Sequence, residues 1–508
     1  MTRWAHMPER LLSIVTGATL LLGVGQVWFG VVHWHDSQRI LQCMLLALVA
    51  AACIGAPALR DRLLRQAGLF GMPACIAALA GLALGTLSAL ASGFARFGLL
   101  EVALVPPLLL VSLCLMGARI GREADFDRAA LAVTGIVATV LVTQFAGAYA
   151  AMLFAGVGFY PENLYRGGFS NPRFLGQFHT MALPLLVAAC IHPGLSRRWR
   201  GILAAVLVMS LVMALLTASR ATWYAWSAAT VGVLVVCRAH ARVIAGVQLA
   251  AIAAAGGIFW LMFMLPAHLV EGWDFNAVDA SFGRLGDPTS LSLREVLWWR
   301  AWELIGEHPI LGIGPMGAAV DFNPVASHPH NALLQVASEW GLPAALMLCI
   351  GLALAGLRLA RGLWLVHGQS LAGGRAEAGA DSVLAPALAI SLLGIAIHAM
   401  ADGVAVMPYT QVALAAVFGW AASVLLPRDS GMPPRAPARA LGIAVPGLAL
   451  AALLHGVLPE STYLESREEA FALRHSSAAA MMPRFWAQGW VVDEVDRDAV
   501  RFDARYPP

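Results

Sequence analysis

The stretch GILAAVLVMSLVMALLT, residues 201–217, runs into Ala218, Ser219 and Arg220, and a second apolar run follows over 221–237. Neither run carries a charged side chain, and crossing ~30 Å of hydrocarbon takes about 20 such residues. Similar runs recur near 11–32, 40–57, 68–91, 98–118, 129–154 and 174–192 on the N-terminal side. On the C-terminal side they lie near 243–265, 332–357, 383–400, 408–426 and 441–458. A bilayer offers backbone groups no water, so such segments close their hydrogen bonds within helices. Charged residues make up 12% of the 508 and hydrophobic residues 59%, against roughly 25% charged in a soluble domain. The expectation is an all-α polytopic transmembrane helical bundle of about 12–13 spans, with a large polar loop containing interfacial helices.

Charge orients the bundle. Every basic residue is an arginine. With the N-terminus in the cytoplasm, nineteen arginines fall on inside segments and only Arg39, Arg96, Arg166, Arg173 and Arg220 on short outside loops, the asymmetry expected of cytoplasmic loops. Both long polar segments, near 266–330 and after 458, then face outward. The chain divides into N-terminal transmembrane helices (1–154) and helices with short periplasmic loops carrying Arg173 and Arg220 (155–265). A large periplasmic loop (266–330), C-terminal transmembrane helices (331–458) and a periplasmic tail (459–508) follow. The net charge of +3 goes into orientation, so no nucleic-acid partner is expected. The run after Arg10 reads as an uncleaved first span. All seven cysteines lie in apolar segments, which implies neither a disulfide framework nor a metal site.

Ionisable and amide groups collect at outer helix ends: Glu101, Gln177, His179, His398, Asp402 and His455 lie within about two turns of them. Transporters usually set charges near the bilayer midplane. A proton-coupled carrier is therefore disfavoured, while a flippase for lipid-linked oligosaccharides stays open.

Several outer segments carry candidate residues. Around Gly167, Gly168, Asn171 and Pro172 the chain turns, and Arg166, Arg173 or Gln177 either edges that turn or lines a polar groove. Arg220 in its short turn is either a snorkelling headgroup contact or a guanidinium aimed at a phosphate. Leu291 to Ile305 has helical periodicity, with Trp298, Trp299 and Trp302 beside Arg294 and Arg300, the pattern of a helix lying in the interface. Gly312 to Gly317 spells GxGxxG, but without the strand and helix of a nucleotide fold it reads as a backbone turn. From Ser327 to Gly341, His328, His330, Asn331 and Glu339 gather where the loop meets a span.

His330-Asn331, the helix after them and Glu339-Trp340-Gly341-Leu342 resemble the signature of the O-antigen ligase superfamily. This superfamily holds lipopolysaccharide O-antigen ligases, O-antigen polymerases and bacterial protein O-oligosaccharyltransferases. Upstream, Ser292-Leu293-Arg294, Trp298 and His308 to Gly314 are similar to the family's loop, as are Ser219-Arg220 and Gly168 to Pro172. The resemblance covers roughly 165–345. It implies a metal-independent, inverting transfer of a glycan from undecaprenyl diphosphate to an acceptor hydroxyl, with His330 the catalytic histidine and Arg220 and Arg294 the phosphate-binding arginines. Arg173, Arg300, His328, Asn331 and Gln177 are further candidates. No cofactor and no metal are expected.

The chemistry suits those residue types in its own right. A sugar 1-diphosphate has a good leaving group, and arginine offers a planar fork for its oxygens. The acceptor hydroxyl needs a base, and histidine titrates near the working pH. Glu339, nine residues after His330, is half a turn out of phase along one helix and is not assigned to orient it. The leading expectation is O-antigen ligation to lipid A-core at the periplasmic face of the bacterial inner membrane. Protein O-oligosaccharyltransferase of the pilin-glycosylating type, with a glycoprotein acceptor, follows, then a polymerase, then the flippase. Membrane lipids complete the expected partners.

Overall fold

A computed structural model describes residues 34–156, 169, 172–269, 283, 293–321, 325–372, 380–427, 434–462, 464 and 483–489. The N-terminal part holds α1 (Trp34–Gly55), α2 (Pro57–Gly68), α3 (Met72–Ala91), α4 (Ala95–Arg119) and α5 (Glu123–Ala155). Then come α6 (Pro172–Ile191), α7 (Arg197–Thr217), α8 (Arg220–Val236), α9 (Arg238–Phe259) and α10 (Leu265–Leu269), the last two joined by a π-helical turn at Trp260–Met264. The remainder is α11 (Arg294–Glu307), α12 (Ala332–Trp340), α13 (Leu342–Ala372), α14 (Asp381–His398), α15 (Pro408–Leu425) and α16 (Ala436–Glu460). Among the described residues, 11 helices are long and apolar enough to cross a membrane. The fold is an all-α polytopic bundle, as the apolar runs predict. The first expected span, 11–32, lies outside the described residues.

Two expected spans differ: the run 221–237 forms α8, which at 17 residues is not among those 11, and the run 332–357 is broken. The latter is two helices, because Gly341 takes φ +90° and a Cβ there would lie 2.1 Å from the carbonyl oxygen of Ile310. An L side chain tolerates neither that φ nor that approach. Apolar composition hid the break, since both sides are hydrophobic. The 9-residue α12 therefore stands apart as a short helix carrying the polar signature, and the membrane-crossing candidate is Leu342–Gly368.

Helix α6 is the centre of the bundle, with 89% of its apolar window buried. It packs on α7 and α14, placing Phe174, Phe178, Leu183 and Leu186 in the larger core. A second core joins α1, α4 and α16 through Leu46, Leu100 and Leu453, and it also takes in Phe485 and Trp486 from the tail. In lipid, helices associate by close packing rather than by escape from water. That need is visible at Gly419, where a Cβ would lie 2.2 Å from the Ser112 carbonyl oxygen across the α4–α15 contact.

Polar clusters mark the two ends of α14, about 26 Å apart at 1.5 Å per residue. At the Asp381 end, Arg119 bonds Asp127 at 2.8 Å and Asp381 at 2.5 Å. Trp420 Nε1 donates to Asp127 at 2.7 Å. At the His398 end lie the histidines of the loop before α12.

Candidate active site

The segment before α12 is folded by its own polar groups. His330 takes φ 53°, a left-handed turn that its backbone N–H closes by donating to His328 Nδ1 at 3.2 Å. Trp298 of α11 donates its indole N–H to the Pro329 carbonyl at 3.1 Å. Asn331 caps α12, its side-chain oxygen accepting from Leu334 N at 3.0 Å. Its amide nitrogen donates to the Met400 carbonyl at 3.0 Å. Asn331 thus ties the histidine segment to the loop between α14 and α15.

The two histidines have different work. His328 is 3% exposed and its ring presses on Gly403, where a Cβ would sit 2.5 Å from Cε1. Because Nδ1 accepts the His330 N–H, the ring is neutral. Burial, then the charges of His330 and Arg484, push its pKa well below the usual imidazole range. His328 shapes the turn. His330 stands 4.2 Å away, ring centre to ring centre, and its Nδ1 lies 3.2 Å from Asp402 Oδ1.

Asp402 is the centre of a short chain of polar groups. Its other oxygen is 3.4 Å from His398 Nε2, and His398 Nδ1 is 2.8 Å from Thr180 Oγ1 of α6. Gly403 N donates to Asp402 Oδ1 at 2.8 Å. Burial alone would raise this carboxyl, but the bond from His330 and the nearness of the His398 ring overcome it and hold the pKa well below the carboxylate range. Asp402 is therefore an anion. An anionic partner on Nδ1 keeps the proton there and leaves His330 Nε2 as the basic nitrogen. The sequence reading put Asp402 at an outer helix end but not in the site. A usable signal was present: it is the sole carboxylate between Asp381 and Asp429, four residues after His398, and thus one helical turn away.

Arginines approach from three helix starts. Arg294 opens α11 directly after Leu293 at φ 63°, and its Nε donates to the Ala401 carbonyl at 2.7 Å, next to Asp402. Arg220 opens α8 after Ala218 at φ 46°, with Ser219 capping the helix. Arg173 lies in the first turn of α6. Helix α6 reaches the Ser219 turn because residue 176 is glycine: a Cβ there would lie 2.4 Å from Thr222 Oγ1 and 3.0 Å from Ser219 Oγ. Burial, then the charge of Arg173 and later that of Arg220, lowers the pKa of Arg294, so both of those charges are felt at Arg294. Helix N-termini already carry positive potential and favour anions. Three arginines at three such starts make a region of positive potential.

Ala218, Leu293 and His330 are three of the four non-glycine residues at positive φ among those described, the fourth being Met316. Each such conformation costs of order 1–3 kcal/mol and clusters at functional sites. Here each sits at or just before a site side chain.

Other sequence candidates are placed differently. Arg300 is held by Asp321 at 2.7 Å and Glu303 at 3.2 Å, and these carboxylates, Asp321 foremost, raise its pKa. It does not join the arginine group. Gln177 is buried one turn below Arg173, with Oε1 accepting from Thr410 Oγ1 at 2.7 Å. Arg166, Gly167, Gly168, Ser170 and Asn171 lie outside the described residues. The Gly312–Gly317 segment is a backbone turn, with Ile313 N and Gly314 N donating to the Ser338 and Glu339 carbonyls at 3.0 and 2.8 Å. Helix α11 begins at Arg294 rather than Leu291. It buries Leu297, Ala301 and Leu304 and exposes Trp299 and Trp302. Glu339 turns away from His330, toward Ala318 N at 2.9 Å and Arg484 at 2.5 Å.

A multi-pass membrane protein with an oriented histidine beside a buried carboxylate and a cluster of arginines has the parts for chemistry on an anionic, membrane-borne substrate. Residues 205–349 match the family described as O-antigen ligase, which supports the O-antigen ligase superfamily and, with it, a membrane glycosyl-transfer enzyme of ligase or polymerase type. The matched stretch contains Arg220, Arg294, His328 and His330, whereas Arg173, Asp402 and Arg484 lie beyond it. No curated protein matches the chain.

Proposed function

We propose that this protein transfers a glycan from undecaprenyl diphosphate to a hydroxyl of lipid A-core at the periplasmic face of the bacterial inner membrane. His330 Nε2 takes the proton of the acceptor hydroxyl as its oxygen attacks the anomeric carbon from the face opposite the diphosphate. The bond from that carbon to the diphosphate oxygen breaks, the anomeric configuration inverts, and undecaprenyl diphosphate leaves. Arg294, Arg220 and Arg173 hold the departing charge, a role that guanidinium forks fill without a metal. Asp402 keeps His330 in the required tautomer and balances the imidazolium as it forms, with the Gly403 N–H holding the carboxylate and His398 packed behind it. Asn331 and Gln177 hold α12 and α6 in place, His328 holds the turn, and Arg300 braces α11.

The observation that carries this reading is the contact of Asp402 with His330, one residue from the carbonyl that anchors Arg294. Base and phosphate-binding side chain are thereby fixed to one loop. Mass analysis of lipopolysaccharide and of pilin-type proteins from a deletion strain tests it. Lipid A-core without O-antigen is the expected result. An intact lipopolysaccharide with a missing protein glycan assigns a protein acceptor instead, and shortened chains assign a polymerase. The topology has its own test, because Ile310 in the expected outer loop is 68% exposed. A cysteine replacing Ile310 should react with a membrane-impermeant reagent from the periplasm, and reaction only from the cytoplasm contradicts the orientation.

A further inference from the structure

The tail returns to the bundle over residues 483–489, all of them buried. Phe485 and Trp486 fill the core between α1, α4 and α16. Arg39 Nε donates to the Phe485 carbonyl at 2.8 Å, and Ala487 N donates to Asp36 Oδ1 at 2.6 Å, so the segment is pinned to α1. Arg484 is 1% exposed. Its guanidinium binds Glu101 of α4 at 2.7 Å and Glu339 of α12 at 2.5 Å.

These contacts bracket the catalytic histidine. Ser327 Oγ donates to the Pro483 carbonyl at 3.2 Å, and Glu339 binds Arg484. The tail thus grips the chain on both sides of His328 and His330. Apolar residues alone would plug the core, and a buried ion pair is often no more stabilising than packed hydrocarbon. A guanidinium aimed at Glu339 instead fixes the register of α12, and through Asn331 the position of His330. We propose that residues 483–489 form a strap built into the active site, with Arg484 the positioning residue that holds the histidine segment against Asp402 and Arg294.

This inference rests on the transfer reading. The test uses the purified full-length protein with lipid-linked glycan donor and lipid A-core acceptor. Three quantities are measured: turnover, donor KM, and the rate at which diethyl pyrocarbonate modifies His330, read by peptide mass. A displacement near 1 Å costs up to about 100-fold in rate. Arg484→Ala should therefore lower turnover by about 30-fold or more with donor KM within about threefold, and His330 should react faster. Arg484→Lys, which keeps the charge but not the fork, should regain about tenfold over Arg484→Ala. Unchanged turnover in folded Arg484→Ala overturns the strap, and so does a loss of turnover with His330 reactivity unchanged. If Arg484→Ala does not fold, Arg484→Lys and Glu339→Gln carry the test: slower turnover with faster His330 modification supports the strap, and wild-type values for both overturn it. His330→Ala in the same assay separates the two ideas. Wild-type turnover there defeats the transfer mechanism itself, whereas an inactive His330→Ala beside fully active Arg484 variants defeats only the strap.

Discussion

The two ends of α14 bury charge in opposite ways. At the Asp381 end Arg119 lies between Asp127 and Asp381, and Trp420 completes the coordination. At the His398 end, Arg294 feels the charges of Arg173 and Arg220 as well as those of Asp402 and Glu295. The first cluster interleaves opposite signs, which is how a membrane protein makes a buried charge tolerable. The second gathers like charges at helix starts that are already positive. Asp402 and Glu295 offset part of that repulsion at Arg294, and the proposed anionic substrate would relieve more of it. Arginine alone therefore does not mark a site; what surrounds it does.

Substitutions at the two ends should separate these roles. Among the charged residues the largest effect is expected from Arg294→Ala, with transfer falling by about 10²–10³-fold as a donor to the developing charge is lost. Arg294→Ala with near wild-type transfer would erase the distinction between the clusters. Asp402→Asn should come next, lowering turnover by about 10²-fold or more because the His330 tautomer is no longer enforced. Steady-state kinetics should show this with donor binding intact. Arg119→Ala should do the reverse. Breaking a buried pair costs about 3–5 kcal/mol, so thermal unfolding in detergent should shift down while transfer per folded molecule stays near wild type.

The smallest effect concerns pH. His328 has a folded pKa below its unfolded value of about 6.5. The unfolded chain therefore binds the extra proton, and this ring's contribution to stability is full above about pH 6.5. Below that it is lost at up to about 1.4 kcal/mol per pH unit until the folded pKa is reached. Asp402, also depressed, adds a loss only below about pH 3.9. Melting curves between pH 5 and 7.5 should be flatter for His328→Asn than for wild type, and equal slopes would exclude this source.

Much of this was legible in the sequence, for definable reasons. Uncharged runs specify spans because the bilayer penalises every unpaired backbone group, and the predicted runs near 174–192 and 383–400 coincide with α6 and α14. Family-like spacing pointed to Arg220, Arg294 and His330, and the fold brings Arg220 and Arg294 together with Arg173. The break at Gly341 was illegible because it depends on Ile310, distant in the chain. Asp402 escaped for a similar reason, since its partnership with His330 joins residues 72 apart. Arg484 was hidden further still, lying in a polar tail with nothing local to mark its return to Glu101 and Glu339.

Transfer by purified protein reconstituted with lipid-linked glycan and lipid A-core tests the account most directly, comparing wild type with His330→Ala. The loss of a positioned base should lower turnover by about 10²–10⁴-fold while donor binding, which the proposal gives to the arginines, stays within about twofold. Turnover in folded His330→Ala equal to that of wild type would contradict the assignment.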